Sequence, residues 1–164
     1  MEKSVTYFSQ VGKENTDRVL ELAGEVAQAQ GIRHVVLAST RGYTAERALD
    51  ICADLDVVAV GIERSSFDPG VRQKLEKKGW PVIFSREAEY SYPREMQTAF
   101  RRFGQGSKVA VEVVVLAVMA GLVAEGERVI GIGGSSAGAD TAFVLAASYG
   151  FTDIRVSEVI CKPA

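Results

Sequence analysis

Two short stretches of the chain are apolar almost without interruption. They are His34-Val35-Val36-Leu37-Ala38, apolar from Val35 on, and Asp56-Val57-Val58-Ala59-Val60-Gly61-Ile62. A strand with one wet face alternates apolar and polar residues. A strand without that alternation is covered on both faces, which is the signature of a parallel sheet lying between two layers of helix. Strand-like and helix-like segments alternate around these runs, so the chain reads as a doubly wound α/β fold with right-handed crossovers.

Val5-Thr6-Tyr7-Phe8 is a further β-prone run, broken by Gly12-Lys13-Glu14-Asn15-Thr16. Asn15 or Thr16 caps the helix that follows, and Asp17 suits its positive end. Val19, Leu20, Ala23, Val26, Ala27 and Gln30 recur at helical spacing, and Gly31 closes that helix. Helices are predicted over Ala45–Asp54, Val71–Lys78, Pro93–Phe103, Lys108–Leu122 and Asp140–Tyr149. Pro69 leads the second of these and Gly79 caps it. Strands are predicted over Pro81–Phe84, Arg128–Ile132 and Ile154–Ile160, the last alternating like an edge strand with one wet face. Ser85–Tyr92 reads as a loop. No linker or tandem repeat interrupts the 164 residues, so residues 1–164 are expected to form one domain.

A hydrophobic content of 47% suits a compact globule, and a net charge of −2 without a basic stripe argues against nucleic acid. The longest apolar run, Val109 to Ala124, is interrupted by Glu112 and falls short of the ~20 residues a membrane span needs. It reads as a buried helix, so no membrane partner is expected. Met1-Glu2-Lys3-Ser4 has no apolar leader, and Cys52 and Cys161 have no metal-ligand spacing. A cytoplasmic protein with reduced thiols is expected, with no metal site.

The chemistry concentrates in two loops. Gly131 to Thr141 reads Gly-Ile-Gly-Gly-Ser-Ser-Ala-Gly-Ala-Asp-Thr, after an apolar strand and before the helix-like Ala142–Ala147. Strand, glycine-rich turn and helix together gather backbone N–H groups around an anion. The stretch is neither a Walker A loop, because Ala139-Asp140 follows Gly138, nor a dinucleotide fingerprint, because Ser136 stands at the third glycine. Ser39-Thr40-Arg41-Gly42-Tyr43-Thr44 has similar chemistry after the first buried strand, with Arg41 able to contact a phosphate. Ligands of parallel sheets sit beyond the carboxyl ends of the strands, so neighbouring strands would bring both loops to one pocket.

These residues also resemble a family. Val35 to Ala45 is similar to the strand and Ser/Thr-rich Gly-x-Thr turn of the pyruvate kinase C-terminal domain, which there cradles a phosphate of an allosteric sugar bisphosphate. Glu127 to Ile130, running on through Gly138 to Thr141, resembles that domain's later strand and glycine-rich effector loop. The closer resemblance is to small stand-alone pyruvate kinase C-terminal-domain-like proteins of archaea and bacteria. It is carried by Gly12–Thr16, Ser39–Ala45, Gly106–Glu112, Gly133-Gly134, Gly138–Ala142 and Glu158–Pro163. The resemblance implies a three-layer α/β/α fold, a mostly parallel sheet with an antiparallel edge strand, and a phosphate-bearing ligand. Flavin mononucleotide (FMN) is the ligand associated with such proteins. Kinase chemistry is not implied, since the catalytic barrel of pyruvate kinase has no counterpart in 164 residues.

The candidate ligand contacts are therefore Ser39, Thr40, Arg41, Gly42, Tyr43 and Thr44 in one loop and Gly133, Gly134, Ser135, Ser136, Gly138 and Thr141 in the other. Asn15 and Thr16 join them if the first strand is parallel to the rest, whereas Lys13 reads as solvated. Glu112, on an apolar helical face four residues after Lys108, reads first as a structural ion pair and second as an acid/base. Asp140 is the other acid/base candidate, placed in the first turn of its predicted helix. His34, the only histidine, has no triad or metal partners in view, and Trp80, Tyr90 and Tyr92 read as packing. The function expected is binding of a phosphorylated small molecule, with FMN as the named candidate. The alternatives are an enzyme acting on a phosphorylated metabolite and a regulatory or assembly domain forming a homo-oligomer.

Overall fold

The computed structural model describes residues 1–164. The first half contains β1 (Thr6–Phe8), α1 (Thr16–Gln30), β2 (His34–Ala38), α2 (Tyr43–Ile51), β3 (Asp56–Gly61), α3 (Pro69–Lys78) and β4 (Val82–Phe84). The second half contains α4 (Arg94–Arg101), α5 (Gln105–Met119), β5 (Arg128–Gly133), β6 (Thr141–Ala146) and β7 (Arg155–Pro163). The strands form one seven-stranded sheet in the order β1-β7-β6-β5-β2-β3-β4. β5, β2, β3 and β4 are parallel, β6 runs against both β5 and β7, and β1 lies parallel to β7. Only β6 opposes the rest, so the carboxyl ends of β1, β2, β3, β4, β5 and β7 share one rim.

The uninterrupted apolar strands lie in the middle because both of their faces are covered. On β2, Val35 and Leu37 join Val57, Ala59, Ile130 and Ile132 in the core beneath α1, α2 and α3. Val36 points the other way and joins Val58, Val60 and Val129 beneath α5. α5 is buried from Gly106 to Val118 except at Lys108, Val109 and Glu112, with α4 packed outside it. Its run Val113-Val114-Val115 has poor helix propensity, but each buried valine contributes roughly 1.5–3 kcal/mol, which outweighs tenths per residue. No helix is long and apolar enough to cross a membrane.

Several helix ends follow the sequence signals, but the expected cap of α1 is absent: the Asn15 side chain donates to the Gln10 carbonyl and the Thr16 hydroxyl bonds Lys13 and Ala139, so neither meets a first-turn amide. Gly31 and Gly79 close α1 and α3 in left-handed conformations, and the Asp68 carboxylate caps α3 by accepting from the Val71 amide at 2.9 Å. The predicted helix over Asp140–Tyr149 is instead β6. Its Ala142 and Val144 face one core while Phe143 and Leu145 face the other. Ala142–Leu145 is therefore a two-face-buried strand like β2 and β3, paired on both sides, and its alanines mimic helix propensity. In β7, Arg155–Ala146 through Ala142–Cys161 pair with β6, while β1 covers only Cys161–Pro163 on the outer side. The wet alternation at Arg155 to Ser157 belongs to that uncovered stretch.

Two close approaches fix the rim. At Gly133, a Cβ would lie 2.2 Å from the Gly106 carbonyl oxygen and 2.7 Å from the Ala110 nitrogen, so α5 rests directly on the β5 backbone. On the other side, Thr16 Oγ1 donates to the Lys13 carbonyl at 2.7 Å and accepts from the Ala139 amide at 3.0 Å. Gly138, at φ +73°, lies so near that a Cβ would stand 2.4 Å from the same hydroxyl. Asp140, fully buried, accepts from the Gly12 amide at 3.1 Å and from the Thr141 hydroxyl at 2.8 Å.

Gly133→Ala pushes helix backbone, not a flexible side chain, and is expected to cost about 1–3 kcal/mol. The urea midpoint should fall with an unchanged m value. Thr16→Val keeps the shape but strands the buried Ala139 amide, at an expected cost of about 1–3 kcal/mol. Hydrogen exchange at Ala139 should accelerate in that variant more than exchange within β2.

Candidate functional site

A cleft of about 600 Å³ opens at the shared rim, between the loop that leaves β2 and the loop that leaves β5. β2 and β5 are neighbours, but their connections part there: one crosses through α2 to β3, the other returns through β6. Such a divergence leaves a crevice beyond the strand ends. Thr40 and Gly134 line the same cleft, with Val60, Gly61 and Ile62 from the end of β3 and Ser85 from the end of β4. α5 closes it with Gln105, Lys108, Val109, Glu112, Val113 and Leu116.

The backbone gives this cleft its character. The amides of residues 40–44 donate to no acceptor in the chain, and neither do those of residues 134–138. Unpaired N–H groups require water or a ligand. The first run belongs to the start of α2, where the helix dipole adds partial positive charge. Gly42 stands at the N-cap without a side chain, and Ser39, 4% exposed, accepts from the first-turn Ala45 amide at 3.2 Å. Gly42 turns the chain into α2 at φ +109°, where a Cβ would lie 3.2 Å from the Val71 side chain. Lys13 Nζ stands 4.1 Å from the Tyr43 ring centroid, which brings a cation to the cleft from the turn before α1.

The α5 wall carries an ion pair. Lys108 Nζ donates to Glu112 Oε2 at 2.7 Å, and the Tyr90 hydroxyl donates to Oε1 at 2.7 Å. Burial, reinforced by the bond to Glu112, pushes the Tyr90 phenol up to about 12, so it stays a donor at neutral pH. Tyr92 is buried, stacks on Phe151 at 3.9 Å between centroids, and donates to the Lys108 carbonyl. Burial raises its phenol further still.

Of the residues nominated from sequence, Ser39, Thr40, Arg41, Tyr43, Thr44, Gly134, Ser135, Ser136, Gly138 and Glu112 line the cleft. Asn15, Thr16, Gly42, Gly133, Asp140 and Thr141 do not. Thr16, Asp140 and Thr141 are fully buried and bonded within the chain, while the Asn15 amide group donates to the Gln10 carbonyl. The glycine-rich loop leads into a strand, so no helix dipole stands behind it and Asp140 occupies no helix turn. The one feature of this loop suited to an anion is its run of free amides. Lys13, which the sequence suggests is solvated, instead lies over Tyr43, because β1 is parallel to β7 and delivers the Gly12–Thr16 turn to this rim. Ile62 and Gln105 also line the cleft, and nothing in their local sequence pattern marks a loop or helix start as facing one.

The other reactive groups have structural surroundings. His34 bonds Glu127 across strand ends, and Trp80 is in the core. Cys52 and Cys161 are free and buried, and burial pushes their thiols up to about 11 and about 12. No group of three or more His, Cys, Asp or Glu side chains is placed to hold a metal ion.

Residues 17–145 match a family model described as "Pyruvate kinase, alpha/beta domain". β1, the whole Gly12–Thr16 turn and β7 lie outside that span. The matched span includes both amide-rich loops, the Lys108–Glu112 pair and nearly four-fifths of the 164 residues, and the chain belongs to the pyruvate kinase alpha/beta domain family.

Proposed function

We propose that this protein binds a phosphorylated small molecule, with FMN as the leading candidate, in the cleft at the sheet rim. One observation carries the reading: two runs of unpaired backbone amides, residues 40–44 and 134–138, lie in the two loops of one cleft, and all of these residues but Gly42 line it. Phosphate oxygens are the acceptors such runs suit, and Arg41 adds a charge-assisted donor. Neither Arg41 nor Lys13 forms an ion pair within the chain, so both retain charge for a ligand. The volume of about 600 Å³ lies within the roughly 300–1,000 Å³ typical of small-molecule sites. Val60, Ile62, Val109, Val113 and Leu116 give an apolar wall for a flat organic body, and Tyr43 can stack on it.

Holding is better supported than turnover. A general base has to stand within hydrogen-bond reach of the proton it takes, and the case for one is weaker where both carboxylate oxygens are already held within the chain. Both oxygens of Glu112 already accept hydrogen bonds, as do both oxygens of the fully buried Asp140. A reducing, cytoplasmic setting goes with this reading, supported by the two buried free thiols.

Calorimetry of the purified protein against inorganic phosphate and FMN tests the proposal, with mass spectrometry of whatever co-purifies. Both should bind, and Arg41→Ala should weaken both by about 10-fold, the worth of one charge-assisted hydrogen bond. Protein that gives no heat and no thermal shift with either compound sinks the idea.

A further inference from the structure

Lys108 is held unusually firmly for a lysine. Glu112 fixes its ammonium at 2.7 Å, the Tyr92 ring lies 5.3 Å away, and the pair is only 13% and 16% exposed. Glu112 is itself fixed by the Tyr90 hydroxyl, and Tyr92 by its stack on Phe151. Confining a four-carbon side chain to one rotamer opposes its conformational entropy. The ammonium has three N–H bonds and one acceptor in the chain, so two remain unpaired at a cleft wall.

Charge divides the cleft. Arg41 and Lys13, beside the amide loops, have no countercharge, whereas Glu112 neutralises Lys108 on the α5 wall. That wall therefore offers donors without net charge. A second phosphate or carboxylate there would come close to the Glu112 carboxylate and meet like charge. A carbonyl oxygen or ring nitrogen would accept from Lys108 without that repulsion.

We propose that Lys108 is a specificity residue that donates to an uncharged acceptor, a carbonyl oxygen or ring nitrogen, on the body of an organic monophosphate, with Glu112 and Tyr90 as positioning residues. The inference rests on the reading of the loops as a phosphate site. It excludes bisphosphates as preferred ligands and favours bodies with amide-like or heteroaromatic edges over plain sugars.

Titration calorimetry on the full chain separates the two claims, using inorganic phosphate, glucose 6-phosphate, AMP and FMN. AMP or FMN should bind at least 10-fold more tightly than glucose 6-phosphate. The double variant Lys108→Met with Glu112→Leu removes both charges together, so no buried charge is orphaned. It should erase that advantage while changing phosphate affinity less than 2-fold, whereas Arg41→Ala weakens every probe. Glu112→Gln keeps an acceptor for Tyr90 but removes the countercharge. In it, the affinity of fructose 1,6-bisphosphate relative to fructose 6-phosphate should rise at least 5-fold, a change no purely structural role produces. Should the double variant lose phosphate and FMN affinity equally, Lys108 is a phosphate ligand and the inference is overturned. Failure of AMP and FMN to exceed glucose 6-phosphate, with phosphate still bound, also overturns it and leaves the loop reading intact. Absence of binding by every probe removes both.

Discussion

A buried carboxylate and a buried hydroxyl organise the rim. Asp140 and Thr16 have no solvent exposure, and between them they bond the Gly12 and Ala139 amides, the Lys13 carbonyl and the Thr141 hydroxyl. A buried carboxylate is tolerable only when its oxygens are satisfied, and Asp140 is satisfied by groups 128 residues away and next door. This arrangement ties the turn after β1 to the turn after β5, segments that share no local sequence relationship. With its two ends held, the loop from Gly134 to Gly138 leaves its amides without an acceptor in the chain, and all five of its residues line the cleft.

The other half of the constraint is α5. Its inner face packs directly on β5 through Gly106, Ala110 and Val114, at distances that leave no room for a Cβ on Gly131 or Gly133. Only Lys108, Val109 and Glu112 interrupt its long buried stretch, and all three line the cleft. One helix thus builds the core and presents the polar wall of the site. Packing this dense leaves little freedom for the Lys108–Glu112 pair to shift. Rigidity of that kind is what a binding site uses to limit the entropy a ligand costs.

Much of this was legible in the sequence, for identifiable reasons. The uninterrupted runs at Val35–Ala38 and Val57–Gly61 announced central strands, and Gly31, Pro69 and Gly79 announced helix ends. The Lys108–Glu112 pair was readable from its four-residue spacing. What failed was the segment after the glycine-rich loop. Ala142–Leu145 carries no polar residue from which a period can be read, and its pairing partners, β5 and β7, are chosen by tertiary contacts. Local pattern therefore places Thr141 and Asp140 at a helix start facing a ligand, whereas strand geometry turns them inward. Lys13 was missed because only the parallel pairing of β1 with β7, a contact between chain ends, brings its turn to the rim.

The chain ends also bear on how this domain relates to its family. The span that matches the pyruvate kinase alpha/beta domain begins at residue 17, one residue after Thr16. Yet Thr16 anchors the β5–β6 loop, Gly12 holds Asp140, and Lys13 reaches Tyr43 in the cleft. Two loops of the cleft lie within the shared span, while a lock and a cation that complete it come from outside. The family fold therefore accounts for where the cleft is, since its position follows from the divergence of β2 and β5. The charge and rigidity of the cleft's loop end depend in addition on residues 12–16, which come from beyond the matched span. Any ligand proposed for this cleft therefore has to suit these side chains as well as the shared fold.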